Sequence, residues 1–334
     1  MNPKISVIVP VYNQSKILNE CLGNLVHQTI IPTIPIEVIV INDASTDDSI
    51  SVIRQCQSQF PEIIQVIDSS ENMGPGGARN LGIEAARGQY IGFVDSDDLA
   101  EPSMYEKLYH AAVQTGYDII DCGYYRQEND LAIVHTADEQ TGFLDDKKRM
   151  ELIVSGGYLF SKLYRKELFQ DLKLRFRSNV ILEDADFLTY LFATATSIGN
   201  VKEVLYFYRN QPASASKILQ TDKYYYNIYE AMKNIYDKTF CLPNYHGIQP
   251  AIEYELLQMY SYGVNICIKA HLNHEARSLI QMLNNLAELK KKTVHEGYEN
   301  PYVQAKISPL DIQIMQLNDQ DPLLLLRSVQ SSAK

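Results

Sequence analysis

Three carboxylates stand within four residues at the end of an apolar segment. Residues 90–94 have the pattern of a buried strand, and Asp95, Asp97 and Asp98 follow them directly. Clustered carboxylates repel one another and lose hydration when they are partly buried, so they need a compensating charge. A divalent cation that holds a diphosphate would supply it, because hard cations take oxygen ligands and often bridge carboxylate to phosphate. We predict that Asp97 binds the metal and that Asp95 contacts a ribose or the metal; the alternative is a surface turn in which Asp98 caps the next helix.

Three other acidic residues are candidates for chemistry. Asp43 ends the predicted buried strand that begins at residue 37. There it either caps the turn before the next helix or accepts the N–H of a nucleotide base. Ligands of open α/β sheets bind beyond the carboxyl ends of the strands, so Asp43 is expected on the same rim as Asp95. Glu183 and Asp184 begin a later helix. They either oppose the helix dipole, or Asp184 is a general base that accepts the proton of a sugar hydroxyl.

Two arginines are candidates for contact with phosphate. Arg79 lies in a glycine-rich helix start at residues 74–80, a setting that favours a phosphate or a uridine. The alternative, which is compatible with it, is an ion pair with a neighbouring carboxylate such as Asp95 or Asp97. The glycines are out of register with a dinucleotide-binding loop and do not follow the first strand. Arg209 belongs either to an ordinary polar loop or to a flap that reaches a diphosphate.

The elements that would position these residues follow from hydrophobic periodicity. Residues 1–100 alternate strand and helix patterns, which is typical of a mostly parallel, doubly wound sheet. The middle of the chain is mixed, and glycines become rare beyond residue 218. We predict an α/β fold with a domain boundary near residue 216. The later segments read as strands at 119–122, 132–134 and 204–208 and as helices at 147–155, 224–240, 248–272 and 275–295.

Composition excludes several classes of protein. The 334 residues carry a net charge of −11, which argues against nucleic-acid binding through a basic surface. The five cysteines include no C-x-x-C pair, so we expect a reduced, cytoplasmic setting rather than a disulfide framework or a zinc site. No apolar run approaches the roughly 20 residues of a membrane span; peripheral contact with the inner face of the membrane stays open.

Of the 23 tyrosines, Tyr124, Tyr125 and Tyr158 are candidates either for sugar stacking or for ordinary packing.

Five motifs in chain order give these candidates a common context. Together they closely resemble the family 2 glycosyltransferases with the GT-A fold, and the match covers about residues 1–215. They are residues 7–13 (VIVPVYN), 42–47 (NDASTD), 77–80 (GARN), 95–98 (DSDD) and 183–184 (ED). The resemblance implies an α/β fold with a GT-A, Rossmann-like, mostly parallel sheet flanked by helices, followed by a helical C-terminal region.

The resemblance also implies an activity and a nucleotide site. The activity is an inverting transfer of a sugar from a nucleotide donor, usually a UDP-sugar, to a glycan, lipid-linked or cell-surface polysaccharide acceptor. The residues matching the family's nucleotide pocket are Pro10, Tyr12 and Asn13. Asp43 would read the base, and Arg79 would contact the nucleotide.

For the reacting groups, the resemblance implies Mg²⁺ or Mn²⁺ at a D-x-D site formed by Asp95 and Asp97. Asp184 matches the family's base, and Glu183 beside it is expected to bind substrate. We expect Arg209 to stabilise the departing diphosphate.

The expected organisation is a catalytic domain at residues 1–215, with a nucleotide-binding half at 1–100 and an acceptor-binding half at 101–215. The helical region at 216–334 would bind acceptor, self-associate or touch membrane. Two rival functions stay open at this point. A sugar-phosphate nucleotidyltransferase would carry a basic, glycine-rich loop after the first strand, where this chain has residues 11–14 (VYNQ). A non-catalytic nucleotide-sugar-binding scaffold is disfavoured by the presence of Asp97 and Asp184.

Overall fold

A computed structural model describes residues 2–210, 221–273 and 278–332. The chain divides into two compact units. The first comprises the described residues of 1–148 and 156–214, and the second those of 149–155 and 215–334. The boundary expected near residue 216 lies outside the described residues.

The first unit is built on one sheet, which has ten strands in the described part of the chain. The strands are β1 (Ile5–Val11), β2 (Ile36–Asn42), β3 (Ile64–Asp68), β4 (Tyr90–Phe93), β5 (Leu99–Ala100), β6 (Ile119–Arg126), β7 (Leu131–Ile133), β8 (Gly142–Phe143), β9 (Lys162–Arg165) and β10 (Ser197–Tyr208). Their order is β3-β2-β1-β4-β9-β6-β10-β5, with β7 beside β6 and β8 beside β10.

The first four strands in that order are parallel, as the alternating pattern predicts. Every residue of β2, and all but one of β1, is buried, because helices cover both faces of a parallel sheet. Helices α1 (Leu18–Val26), α2 (Ser49–Gln59), α3 (Gly74–Ala85) and α4 (Met104–Thr115) connect or follow these strands. This arrangement brings the carboxyl ends of β1, β2 and β4 to one edge.

The other half of the sheet is mixed, and sequence periodicity missed part of it. Strand β9 runs antiparallel to both β4 and β6, while β6 and β10 are parallel. Strand β9 has only four residues, too few to show a period, and it was not predicted. Its antiparallel direction has a consequence for the site: the start of β9 lies beside the carboxyl end of β4 and beside Asp121 in the first half of β6.

Nine further α-helices lie in the described part of the chain after α4. Helices α8 (Thr221–Phe240) and α9 (Tyr245–Leu272) begin within three residues of the predicted positions. The predicted start of the following helix at residue 275 lies outside the described residues. No helix was predicted beyond residue 295, although three proline-initiated helices follow there; proline suits a first helical position, so this signal was available. The bounds are α5 (Asp146–Ser155), α6 (Glu167–Asp171), α7 (Glu183–Thr194), α8 (Thr221–Phe240), α9 (Tyr245–Leu272), α10 (Leu279–Thr293), α11 (Pro301–Lys306), α12 (Pro309–Gln320) and α13 (Pro322–Ser332).

Within the described ranges, none of the helices combines the length and the apolar character that a membrane crossing requires.

Candidate active site

The residues expected to form the nucleotide pocket lie together at the carboxyl ends of β1 and β2. The backbone N–H of Asp43 donates to the carbonyl of Val11 at 2.8 Å, which joins the two strand ends. Asn13 has a positive φ of 54°, and its side-chain oxygen accepts from the backbone N–H of Thr46 at 2.8 Å. Tyr12 is 47% exposed, so its ring is accessible to a ligand. Pro10 is partly buried within β1.

Asp43 does not cap the helix that follows it. Its side chain is buried, and Oδ1 accepts from the backbone N–H of Met73 at 2.8 Å, just before α3. Burial raises the pKa of Asp43, while the amides of Met73 and Gly74 act to lower it. Asp43 therefore ties the end of β2 to the glycine-rich start of α3, and the capping alternative is wrong for α2.

Arg79 joins two carboxylates that are far apart in the sequence. Its Nη2 lies 2.7 Å from Oδ1 of Asp95, and its Nη1 lies 2.6 Å from Oε1 of Glu183. The guanidinium and Glu183 are both buried, and Asp95 is partly exposed. Burial lowers the pKa of Arg79, but the two carboxylates outweigh that effect and raise it. The expected Arg79–Asp95 ion pair is confirmed, and Glu183 is a partner that was not expected.

The glycines at the start of α3 allow the segment before α7 to pack closely. A Cβ on Gly76 would lie 2.1 Å from the carbonyl oxygen of Arg177, so no side chain fits there. The side chain of Asn80 donates to the carbonyl of Phe176 at 2.9 Å and accepts from its N–H at 3.0 Å. These contacts bring Glu183, the first residue of α7, to Arg79. The sequence suggested that this glycine-rich helix start would receive a phosphate or a uridine. In the structure, the backbone of the segment before α7 packs against it instead.

Asp184 lies at the same cluster. It is partly exposed, unlike Glu183. Burial raises the pKa of Asp184; the charge of Arg79 acts to lower it, and that of Asp95 acts to raise it. A raised pKa makes a carboxylate a stronger base, which suits a group that must accept a proton. The position of Asp184 in the first turn of α7 also opposes the helix dipole, so the two readings are compatible.

The residues after β4 form a turn of three carboxylates, in which the N–H of Asp98 donates to the carbonyl of Asp95 at 3.0 Å. Burial and the charge of Asp95 raise the pKa of Asp97 to about 6. Burial and the neighbouring carboxylates raise the pKa of Asp98 to about 9. The suggested helix-capping role of Asp98 is wrong: it is buried and accepts from the hydroxyl of Tyr206 at 2.9 Å and from the N–H of Arg209 at 2.8 Å.

Arg209 is held beside this turn. Its Nε donates to the carbonyl of Asp97, and its Nη1 pairs with Oε2 of Glu20 at 2.5 Å. Its side chain is mostly buried, at 15% exposure. The remainder of the proposed flap, from residue 211 onwards, lies outside the described residues.

Two participants were missed by sequence reasoning. Tyr206 is fully buried, and its hydroxyl accepts from the backbone N–H of Asp95 at 3.2 Å while donating to Asp98. Glu20 lies on α1 and pairs with Arg209 across 189 positions of sequence. Strand alternation could not single out Tyr206, because the register of β10 shifts between Val204 and Tyr206.

The residues present are compatible with a divalent cation. Mg²⁺ is usually bound through one or two carboxylates together with water and substrate phosphates. Asp97 and the Asp95 oxygen that does not contact Arg79 could supply such a pair. Across the described ranges, no group of three or more His, Cys, Asp or Glu residues has the geometry of a metal site. Asp95 and Asp97 are therefore candidate ligands and no more than two in number.

Comparisons with known proteins agree with this geometry. The family model for glycosyl transferase family 2 matches residues 6–173. "Uncharacterized glycosyltransferase EpsJ" of Bacillus subtilis is 33% identical over 267 residues, which cover 77% of this chain and 74% of that protein. "Poly(ribitol-phosphate) beta-glucosyltransferase" of Bacillus spizizenii is 29% identical over 206 residues, covering 61% of this chain and 32% of that protein. The crystal structure of S. aureus TarS 1–349 in complex with UDP-GlcNAc has a TM-score of 0.72 at 21% identity, covering 95% of this chain and 90% of that one.

The sheet with its flanking helices and the TarS likeness define a GT-A fold. The chain belongs to glycosyl transferase family 2 and is a glycosyltransferase. The predicted family is confirmed.

Proposed function

We propose that this glycosyltransferase is inverting and transfers a sugar from a nucleotide donor, with UDP-sugars as the expected class. The acceptor would be a hydroxyl on a glycan, a lipid-linked glycan or a cell-surface polysaccharide. One observation carries the proposal: Arg79 joins Asp95 at the end of β4 to Glu183, immediately before Asp184. A candidate base thus lies beside a candidate metal ligand. The UDP-GlcNAc bound to the fold neighbour TarS supports the donor class.

In this proposal the nucleotide lies over the ends of β1 and β2. Tyr12 would stack on it, Asn13 and Pro10 would line the pocket, and the carboxylate of Asp43 would accept an N–H of the base. Residues 1–100 would form the nucleotide-binding half of a catalytic domain at 1–215, and 101–215 the acceptor-binding half. Cytoplasmic placement, peripheral membrane contact and self-association through the C-terminal helices stay predictions.

Asp97 and Asp95 would hold Mg²⁺ or Mn²⁺, which when bound would neutralise charge on the leaving diphosphate. Asp184 would accept the proton of the acceptor hydroxyl as its oxygen forms a bond to the anomeric carbon. The bond from that carbon to the diphosphate breaks at the same time, and the electron pair leaves with the diphosphate. Arg209, held at the Asp97–Asp98 turn, would stabilise the leaving group. A single displacement on the opposite face inverts the anomeric configuration.

The test uses Asp184→Asn, which keeps the shape of the side chain and removes its basicity. We expect sugar transfer to fall roughly 10²- to 10⁴-fold, while the Kd for UDP with Mn²⁺ changes less than about twofold. Asp171→Asn makes the same change on the exposed end of α6 and should leave both quantities at wild-type values. Transfer at the wild-type rate in Asp184→Asn would show that another group is the base.

The substrate class is tested by screening nucleotide sugars with Mn²⁺ for release of nucleoside diphosphate. Donor-dependent release of UDP supports the proposal. A nucleotidyltransferase would instead release pyrophosphate from a nucleoside triphosphate and a sugar phosphate. A scaffold would bind the donor without turnover.

A further inference from the structure

A stack of four aromatic side chains lies beside the acidic turn. We name it the aromatic platform: Tyr158, Phe160, Tyr206 and Tyr208. Phe160 and Tyr206 are buried, with ring centroids 4.1 Å apart and planes 11° apart. Tyr158 stacks on Phe160 at 4.9 Å and 10°, and Tyr208 lies 5.6 Å from Phe160 at 19°. Tyr158 and Tyr208 are partly exposed. Two partly exposed rings, which also stack on each other at 5.9 Å and 23°, therefore rest on two buried ones.

The position of the platform follows from the sheet. Strand β4 lies between β1 and β9. The nucleotide residues are expected at β1 and β2, on one side of β4. The platform comes from the segment before β9 and from the end of β10, on the other side. Its Tyr206 hydroxyl contacts both Asp95 and Asp98. A sugar on a diphosphate held at Asp95 and Asp97 would thus have the platform on the side away from the nucleotide, where an acceptor must approach.

The charges around the platform argue against an anionic acceptor. Three cations adjoin it: Lys162 donates to the carbonyl of Tyr158 at 2.9 Å, Arg126 faces Tyr208 across β6 and β10, and Arg209 follows Tyr208. Each is already paired with a carboxylate, in the pairs Lys162–Asp121, Arg126–Glu128 and Arg209–Glu20. Burial, followed by the charge of Asp98, raises the pKa of Tyr208 to about 12, as expected beside an acidic cluster. Arg209 keeps one nitrogen, Nη2, without a hydrogen-bond partner among the described residues, and this nitrogen is the one left for the leaving diphosphate. The charge that remains beside the platform is that of the acidic turn, which disfavours a polyphosphate chain as acceptor.

We propose that Tyr158 and Tyr208 bind an uncharged pyranose ring of the acceptor, next to the hydroxyl that receives the transferred sugar. The negative face of an aromatic ring attracts the weakly positive C–H groups of a pyranose face, which a linear polyol phosphate does not present. The acceptor class is therefore a neutral saccharide. This inference rests on the proposed function and adds two specificity-determining residues to it.

The test measures binding of cellotriose, N-acetylchitotriose and a ribitol-phosphate oligomer in the presence of UDP and Mn²⁺. Wild-type protein should bind at least one neutral trisaccharide more tightly than the oligomer. Tyr158→Leu and Tyr208→Leu should each raise the Kd for that trisaccharide roughly 3- to 10-fold, the worth of one stacked ring. Tyr158→Phe and Tyr208→Phe keep the ring and should stay close to the wild-type Kd. Tyr226→Leu, at a tyrosine that is 60% exposed on α8, is the matched control and should not change it.

A second measurement needs no substitution. In the wild type, nuclear Overhauser contacts are expected between trisaccharide C–H protons and tyrosine ring protons. Any one of four outcomes would overturn the proposal that Tyr158 and Tyr208 bind the acceptor. These are the absence of such contacts, no binding of either trisaccharide, tighter binding of the ribitol-phosphate oligomer, and an unchanged Kd in both leucine variants. Failure of wild-type protein to bind UDP in the same titrations would count instead against the proposed function.

Discussion

Arg79 is the residue on which the geometry of the candidate site depends. Its guanidinium is buried and contacts one carboxylate at the end of β4 and another at the start of α7. Removing one partner of a buried ion pair typically costs about 3–5 kcal/mol, because the other charge is left buried without compensation. Arg79 therefore has a structural role regardless of whether it also contacts a nucleotide. It orients Asp95 and holds the helix that carries Asp184.

Also at the residue scale, a substitution of Asp97 tests the proposed metal site. Asp97→Asn removes one negative charge from the turn, so metal-dependent binding of the diphosphate should weaken. We expect UDP with Mn²⁺ to raise the Tm of the wild type by several degrees, and that of Asp97→Asn by less than about 1 °C. Asp171→Asn should keep the wild-type shift. An equal shift in Asp97→Asn, measured by differential scanning fluorimetry, would remove Asp97 from the metal site.

At the scale of elements, the packing of α3 decides whether the site forms. Gly82 of α3 faces β1, where a Cβ would lie 2.4 Å from Cγ2 of Ile8. Gly76 faces the segment before α7, where a Cβ would lie 2.1 Å from a backbone carbonyl oxygen. Glycine at these two positions lets one helix approach both the sheet and the chain that leads to Glu183. The same helix carries Arg79, so the ion pairs depend on this close approach.

Gly76→Ala tests this dependence. The added methyl must displace the backbone near Arg177, so we expect a loss of about 1–3 kcal/mol in unfolding free energy and a marked fall in sugar transfer. Gly23→Ala is the control, since a Cβ at Gly23 in α1 meets no atom within 4 Å. That change should be neutral or stabilising by roughly 0.5–1 kcal/mol. Chemical denaturation measures the unfolding free energy, and an activity assay measures sugar transfer. Equal values of both quantities in Gly76→Ala and Gly23→Ala would contradict the packing argument.

At the scale of the whole molecule, a buried carboxyl couples stability to pH. Glu255 on α9, in the second unit, is 9% exposed, and burial raises its pKa to about 8. The unfolded chain ionises this group at an ordinary pKa near 4.5. The folded state is therefore progressively disfavoured as pH rises from about 4.5 to about 8, and the full cost is present above pH 8.

Glu255→Gln removes this titration. Its Tm relative to the wild type should increase between pH 5 and pH 9, and the gain in unfolding free energy should be on the order of a few kcal/mol, since each pKa unit is worth about 1.4 kcal/mol. Glu288→Gln, at an exposed position on α10, should follow the wild type at both pH values. Parallel pH profiles for Glu255→Gln and wild type would show that Glu255 is not a buried neutral acid in the folded chain.

How much was predictable from sequence depends on the range of the interactions. The parallel strands β1, β2 and β4 and helices α8 and α9 follow from apolar periodicity, which is a local property. The carboxylates at strand ends were expected on one rim, since parallel strands end at the same edge of a sheet. Strand β9 was not predicted, because it is too short to show a period. The pairing of Tyr206 with Asp98 was not predicted either, because β10, which carries Tyr206, contains a register shift.

By itself the sequence determined the family, the parallel half of the sheet and the identity of the candidate reacting groups, because each of these is written in short contiguous motifs. The tertiary structure decided which groups meet. Arg79 and Glu183 are 104 positions apart, and Arg209 and Glu20 are 189 positions apart. Such contacts depend on strand order, strand direction and close backbone approach at glycine. These are properties of the packed chain, in which distant segments must satisfy one another's shape and charge.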